Sequence, residues 1–268
     1  MLRTPAVAGK FYPDDPRKLS QQISNLLDAE SASAKIACRA CLVPHAGYVY
    51  SGHIAASVFK RIALPKRIIV LGVRHFPYGA EAAIVSEGAW RTPLGDVPID
   101  FDLAAKISQA CPLLEEDPVA HQSEHSLEVQ LPFLQHLDPG FTFVPIALGT
   151  IQFEALVSIG ESLGKILAAE PDLLLLTTSD FNHYQDDAIT RRKDHLAIER
   201  ILHFDPRGLF DVCRQKEISM CGLGPAVAML TALNHIGSKH AELVKYATSA
   251  DVSGDTSAVV GYAGLLFR

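Results

Sequence analysis

The chain has 268 residues, enough for a substantial buried core, and 48% hydrophobic against 20% charged residues excludes a mainly disordered protein. Its 24 basic and 30 acidic residues leave a formal charge of −6 with no long run of Lys and Arg, which argues against a nucleic-acid binder. No apolar run approaches a membrane span, Met1-Leu2-Arg3-Thr4-Pro5 does not read as a secretory signal, and five cysteines, an odd number, make no disulfide framework, so the expectation is a cytoplasmic protein with reduced thiols.

Leu19, Ile23, Leu26 and Leu27 have helical spacing, and Ile36 to Val43 reads as a strand. Between them, Ala29-Glu30-Ser31-Ala32-Ser33-Ala34 is a short connection rather than a domain boundary. Ile54, Val58 and Ile62 form a second helical stripe, followed by an apolar strand from Arg67 to Gly72. A helix near Leu127, Leu131 and Leu134 leads to a strand over Phe141 to Leu148. A helix over Glu154 to Ala168 then leads to a strand over Asp172 to Thr178. Helices over Thr190 to Leu202 and Pro225 to Ile236 precede strands over Leu243 to Ser249 and Ala258 to Phe267. Strands apolar on both faces and separated by helices predict a mostly parallel sheet covered on both sides. The last two strands lie close enough to pair antiparallel, which makes the sheet mixed. The expected fold is a single-domain α/β/α sandwich over residues 1–268.

In open α/β sheets ligands bind beyond the carboxyl ends of the strands, and polar residues follow three of these strands directly. Pro44-His45-Ala46-Gly47-Tyr48-Val49-Tyr50 follows the first, Val73-Arg74-His75 the second and Ser179-Asp180-Phe181-Asn182-His183-Tyr184 the third. Parallel strands would place His45, His75, Asp180 and His183 on one rim, a set suited to a first-row metal or to acid–base chemistry. A lone histidine is more often structural, but three in matching strand-end positions carry more weight.

Cys221 stands in Ser219-Met220-Cys221-Gly222-Leu223-Gly224-Pro225, ahead of a helix with Gly224 at its cap and Pro225 at its first position. A thiol there is expected to ionise readily, as a metal ligand or nucleophile, or else to be a small buried turn residue. In His121-Gln122-Ser123-Glu124-His125-Ser126-Leu127-Glu128, Ser123 reads as the cap of a helix starting at Glu124. That segment suits a structural or supporting role, with His125 a weaker site candidate. Cys38 and Cys41 fall within a strand, where residues three apart point to opposite faces, so they suit neither zinc nor redox chemistry. Trp90 to Gly95 reads as turn chemistry after a strand, and Asp251 to Asp255 as a polar turn.

Several motifs together resemble the Memo family, whose prokaryotic branch is called AmmeMemoRadiSam system protein B. They are Arg3-x-Pro5-x-Val7-Ala8-Gly9-x-Phe11-Tyr12-Pro13, Pro44-His45-Ala46-Gly47-Tyr48, Trp90-x-Thr92-Pro93-Leu94-Gly95 and Glu124-His125-Ser126-Leu127-Glu128. Ser179-Asp180-x-x-His183-Tyr184, Cys221-Gly222 and Val259-Val260-Gly261-Tyr262 complete the set, in the family's order along essentially the whole chain. The resemblance implies a fold similar to the catalytic subunit of class III extradiol dioxygenases, which hold Fe(II) with two histidines and a carboxylate. By the resemblance, His45 and His75 fall on the histidine ligands and Cys221 on the carboxylate's position. His183 falls on the active-site histidine with Asp180 beside it, and Tyr50 lines the same cleft. The family often has Gly-Pro-Asn-His before the second ligand; here Gly72-Val73-Arg74-His75 puts a cation beside it.

These readings give a mononuclear metal site of His45, His75 and Cys221, with iron the first choice and copper or zinc the alternatives. The leading activity is an oxidoreductase of dioxygenase type, with His183 as acid–base partner and Asp180 orienting it. Its rivals are a metal-assisted hydrolase and a non-catalytic module that binds a peptide or small molecule in the cleft, its metal site vestigial. The resemblance further implies partnership with radical-SAM and Amme-domain proteins.

Overall fold

The structure is a computed structural model that describes residues 1–31, 34–150 and 152–268, so part of the connection predicted at 29–34 lies outside the described residues. Four parallel strands lie side by side at its centre, in the order Ala40–Val43, Leu173–Thr178, Arg67–Val73 and Thr142–Leu148. Nearly every residue along them is buried, which is why they read as continuous apolar runs without alternation. Val259–Phe267 pairs antiparallel with Ala40–Val43 and carries Ala241–Thr248 and His183–Gln185 as antiparallel partners. At the other edge Ala82–Ile84 pairs antiparallel with Thr142–Leu148, and Glu115–Glu116 runs parallel to Ala82–Ile84. The result is the expected mixed sheet in one domain.

Alternate strand residues divide between two cores. Leu42, Ile69, Leu71, Val144, Ile146 and Leu175 pack on one face with Leu163 and Leu230, from the helices Phe153–Ala169 and Leu223–His235. Cys41, Val43, Ile68, Val70, Leu174 and Leu176 pack on the other with Ile23 and Phe59, from the helices Pro16–Asp28 and Tyr48–Phe59. Each large side chain so buried contributes about 1.5–3 kcal/mol, and the two layers together fix the strand ends. A small second sheet joins Leu2–Arg3 to the hairpin Ala89–Thr92 and Gly95–Pro98.

Three local expectations are corrected. The first strand begins at Ala40, because Ile36 makes an isolated bridge with Ile62 instead. Cys38 therefore precedes the strand, and it shares one core with Cys41 rather than facing away from it. The late helix begins at Leu223 with Gly222 as its cap, where Ala226 N–H donates to Gly222 O, so Gly224 and Pro225 lie inside its first turn. Ser123 does not cap a helix at Glu124: it ends the short helix Val119–Gln122, and helical structure resumes only at Glu128–Gln130 and Leu131–Leu137. The Glu124 carboxylate instead accepts the N–H groups of His125 and Ser126, closing a side-chain turn where a helix would have started.

Candidate metal centre

The carboxyl ends of the parallel strands open onto a cleft of about 670 Å³. His45, His75, His125, Asp180, His183 and Cys221 line it, with Phe11, Tyr184 and Tyr262 as aromatic walls. The strand-end rule thus brings together the four rim residues read from sequence and adds Cys221 from the start of the late helix.

His45 leaves the strand Ala40–Val43 through Pro44, whose carbonyl accepts from Gln130 Nε2 at 2.9 Å. Its backbone N–H donates to Asp180 Oδ1 at 2.8 Å, and its Nδ1 lies 2.5 Å from Thr178 Oγ1. Nε2 is then the ring atom facing Cys221 Sγ, 3.1 Å away. Burial, reinforced by the neighbouring His125, His75 and His183, holds the His45 pKa well below the usual histidine value, so the ring is a neutral donor.

His75 follows the strand Arg67–Val73, whose last residue is held from the side: Val73 N–H donates to Ser126 Oγ, which donates back to Val73 O. Gly72 permits this approach, since a Cβ there would come within 2.5 Å of Leu127 Cδ1 and 2.7 Å of Ser126 Oγ. The buried Glu124 carboxylate then takes both His75 N–H at 2.6 Å and His75 Nδ1 at 2.9 Å. A carboxylate only accepts, so Nδ1 carries a proton, and in the neutral ring Nε2 is the atom left to bind an ion.

Among the described residues two three-residue groups are close enough to hold an ion, each with its candidate donor atoms within 4.8 Å: His45, His75 and Cys221, and His75, Glu124 and His125. The second is already saturated. Glu124 Oε1 accepts from His75 Nδ1, His125 N and Ser126 N, and Oε2 accepts from His75 N. Those donors outweigh burial and hold Glu124 down at about 2, an anion that serves as anchor rather than ligand. The first group fits an ion. Two imidazoles have their far nitrogens engaged, and the His45–Cys221 spacing matches two donors of one ion at about a right angle, given bonds of about 2.1 and 2.3 Å.

The expected ready ionisation of Cys221 is not found. Burial, aided by the adjacent Asp180 charge, pushes the thiol well above its usual value, outweighing the Asp180 and Gly222 N–H groups. In the metal-free protein the sulfur holds its proton, which a bound metal would displace. Asp180 is itself pushed up to about 6 by burial, against the opposing pull of the His45 N–H and His183.

His183 is oriented differently from expectation. Its backbone N–H donates to Ser219 Oγ at 2.8 Å and its Nδ1 to Ser219 O at 2.9 Å, whereas the Asp180 carboxylate is occupied by the His45 backbone. A carbonyl cannot donate, so Nδ1 carries a proton, and in the neutral ring Nε2 is the base. His125 is a cleft residue, stacked on His75 with centroids 4.5 Å apart and pushed down to about 4, chiefly by burial. Tyr50 is exposed on the first turn of the helix Tyr48–Phe59, and Tyr262 stands in the cleft wall. The Arg74 guanidinium is tied to the carbonyls of Tyr78 and Gly79. Sequence reasoning missed Thr178 and Ser219, whose contacts span 133 and 36 residues and leave no local signal.

A family model for Memo-like proteins matches residues 3–266. A MEMO1 family protein of Methanopyrus kandleri is 39% identical over 282 residues, covering 100% of this chain and 99% of the relative. Another, from Aquifex aeolicus, is 39% identical over 267 residues, with 99% of both chains covered. In the solved structure of an uncharacterized protein from Escherichia coli K12 the likeness is one of fold, with a TM-score of 0.55 at 11% identity over 84% of this chain and 98% of that one. Among the described residues no helix is long and apolar enough to cross a membrane.

Proposed function

The chain belongs to the Memo family, and from that footing we propose that it is a metal-dependent oxidoreductase whose single ion is held by His45, His75 and Cys221. The observation that carries the reading is the convergence of these three donors within 4.8 Å, with each imidazole held by its far nitrogen. Bound there, iron, or copper or zinc in its place, would supply redox or Lewis-acid chemistry, and the thiolate would favour a softer metal than an all-carboxylate site does. Three protein donors leave room for a substrate.

The chain's own residues do the rest. With its Nδ1–H on Ser219 O, the neutral His183 ring turns Nε2 outward as the site that can take a proton from a substrate group and return it. Asp180 fixes the His45 backbone and lies against Cys221, with Asp180 N–H 3.3 Å from Sγ. Phe11, Tyr184 and Tyr262 offer apolar walls that would exclude water around a small-molecule ligand.

Elemental analysis of protein purified without chelator tests the centre. About one metal ion per chain is expected in the parent, with loss in Cys221→Ser and in the variant lacking all three donors. Unchanged content in that triple variant would overturn the site. Dioxygen uptake with a panel of small substrates, run beside esterase and phosphatase panels, separates oxidation from hydrolysis.

A further inference from the structure

A second cavity, separate from the metal cleft, lies against the small sheet. It measures about 150 Å³, and Leu2, Val85, Trp90, Ile99 and Val119 give it mainly apolar walls. His121 belongs to the same wall. Its side chain is 1% exposed, and among the described residues neither ring nitrogen has a hydrogen-bond partner. The Ala83 backbone makes at most a weak contact with one ring nitrogen, which leaves the other unpaired. Buried polar groups are nearly always paired, so an orphaned imidazole in a cavity wall marks a place where a ligand group is missing.

We propose that this cavity binds a small neutral alcohol or phenol, its ring or hydrocarbon body against Trp90 and its hydroxyl on His121. Size sets the first limit, because a cavity of this volume takes a benzene-sized molecule. Charge sets the second. The Arg3 guanidinium over Trp90 is already matched by Glu128 and by the carbonyls of His121 and Glu124, so Arg3 is not left to pair with an anion. Glu87 in the lining adds repulsion for an anion, and Arg3 does so for a cation. Burial and Arg3 hold His121 down at about 4, so the ring is neutral, with one nitrogen a donor and the other an acceptor, and a hydroxyl, which can donate or accept, pairs with whichever one faces it. The exposed side chains of Leu2 and Val119 lie in the lining and mark the way in.

The chain has one tryptophan, Trp90, so its fluorescence reports this cavity alone. Titration with phenol, toluene and benzoate is the experiment. Phenol is expected to change the emission saturably, with a midpoint of about 1 mM or below for a ligand of this size. Toluene should bind about threefold to tenfold more weakly for want of the hydroxyl, and benzoate more weakly still. His121→Phe, close in volume, should erase the preference of phenol over toluene, and Val119→Phe in the lining should reduce binding of both. Equal, non-saturating quenching by the three probes would overturn the proposal. So would a folded His121→Phe variant that still prefers phenol, or a folded Val119→Phe variant that binds as the parent does.

Discussion

Glu124 and Asp194 are both fully buried carboxylates, one behind His75 and the other behind the His183 loop, yet they are driven in opposite directions. Glu124 is held down at about 2, whereas Asp194 is pushed up to about 7. Burial alone would raise both. The difference lies in the donors. Glu124 receives four N–H groups, including a histidine ring. Among the described residues Asp194 receives only Asn182 N–H at 2.8 Å and Tyr246 Oη at 2.7 Å, and the nearby Arg191 is engaged by Asp187 and Asp251. One region therefore keeps a fixed charge to hold a candidate metal ligand, and the other holds a loop with a carboxyl that is about half protonated near neutral pH.

The largest test removes the fixed charge. Glu124→Ala strands four buried or half-buried N–H groups and frees the His75 ring. It should cost about 3–5 kcal/mol of stability in urea unfolding. Metal affinity in the folded fraction should fall about 10–100-fold, since the ring loses the partner that fixes its tautomer. A loss below about 1 kcal/mol would show that the carboxylate is not the anchor of this region.

The second test uses pH on the other carboxyl. A group whose folded value is raised contributes stability that is complete below its unfolded value, 3.8 for Asp194, and is lost as pH rises through the folded value of about 7. Asp194→Asn imitates the protonated acid, with Oδ1 accepting from Asn182 N–H and Nδ2 donating to Tyr246 Oη. Relative to the parent, the variant should gain about 2–4 kcal/mol between pH 4 and pH 8. Unfolding midpoints measured across that range provide the check. Parallel curves for parent and variant would mean that Asp194 is already ionised in the native state.

Much of this molecule was legible in its sequence, for reasons that differ by element. The four central strands are buried on both faces, so Arg67–Val73 and Leu173–Thr178 advertise themselves as apolar runs. His45, His75 and His183 were legible because parallel strands carry their ends to one rim. What could not be read was side-chain bonding at long range. Glu124 in place of a helix start, Ser219 in place of Asp180 as the His183 partner, and the shortened first strand all depend on contacts that only the assembled chain makes. The thiol of Cys221 misled for a related reason. Its position near a helix start favours the anion, but burial and Asp180 outweigh that.

The smallest effect is the sharpest on mechanism. Ser219 meets His183 twice, through Oγ to the backbone N–H and through its carbonyl to Nδ1. Ser219→Ala deletes the first contact and keeps the second; it also removes the Oγ–H donation to Asn182 Oδ1 at 3.3 Å. The His183 N–H is near solvent and can turn to water, so the stability cost should be about 0.5–1 kcal/mol. The carbonyl stays, and with it the tautomer that leaves Nε2 unprotonated. Nitrogen-15 NMR of the metal-free protein should therefore show the Nδ1–H form for His183 in parent and variant alike. Finding Nε2–H in the parent would remove the base assigned to His183, whatever the metal centre proves to hold.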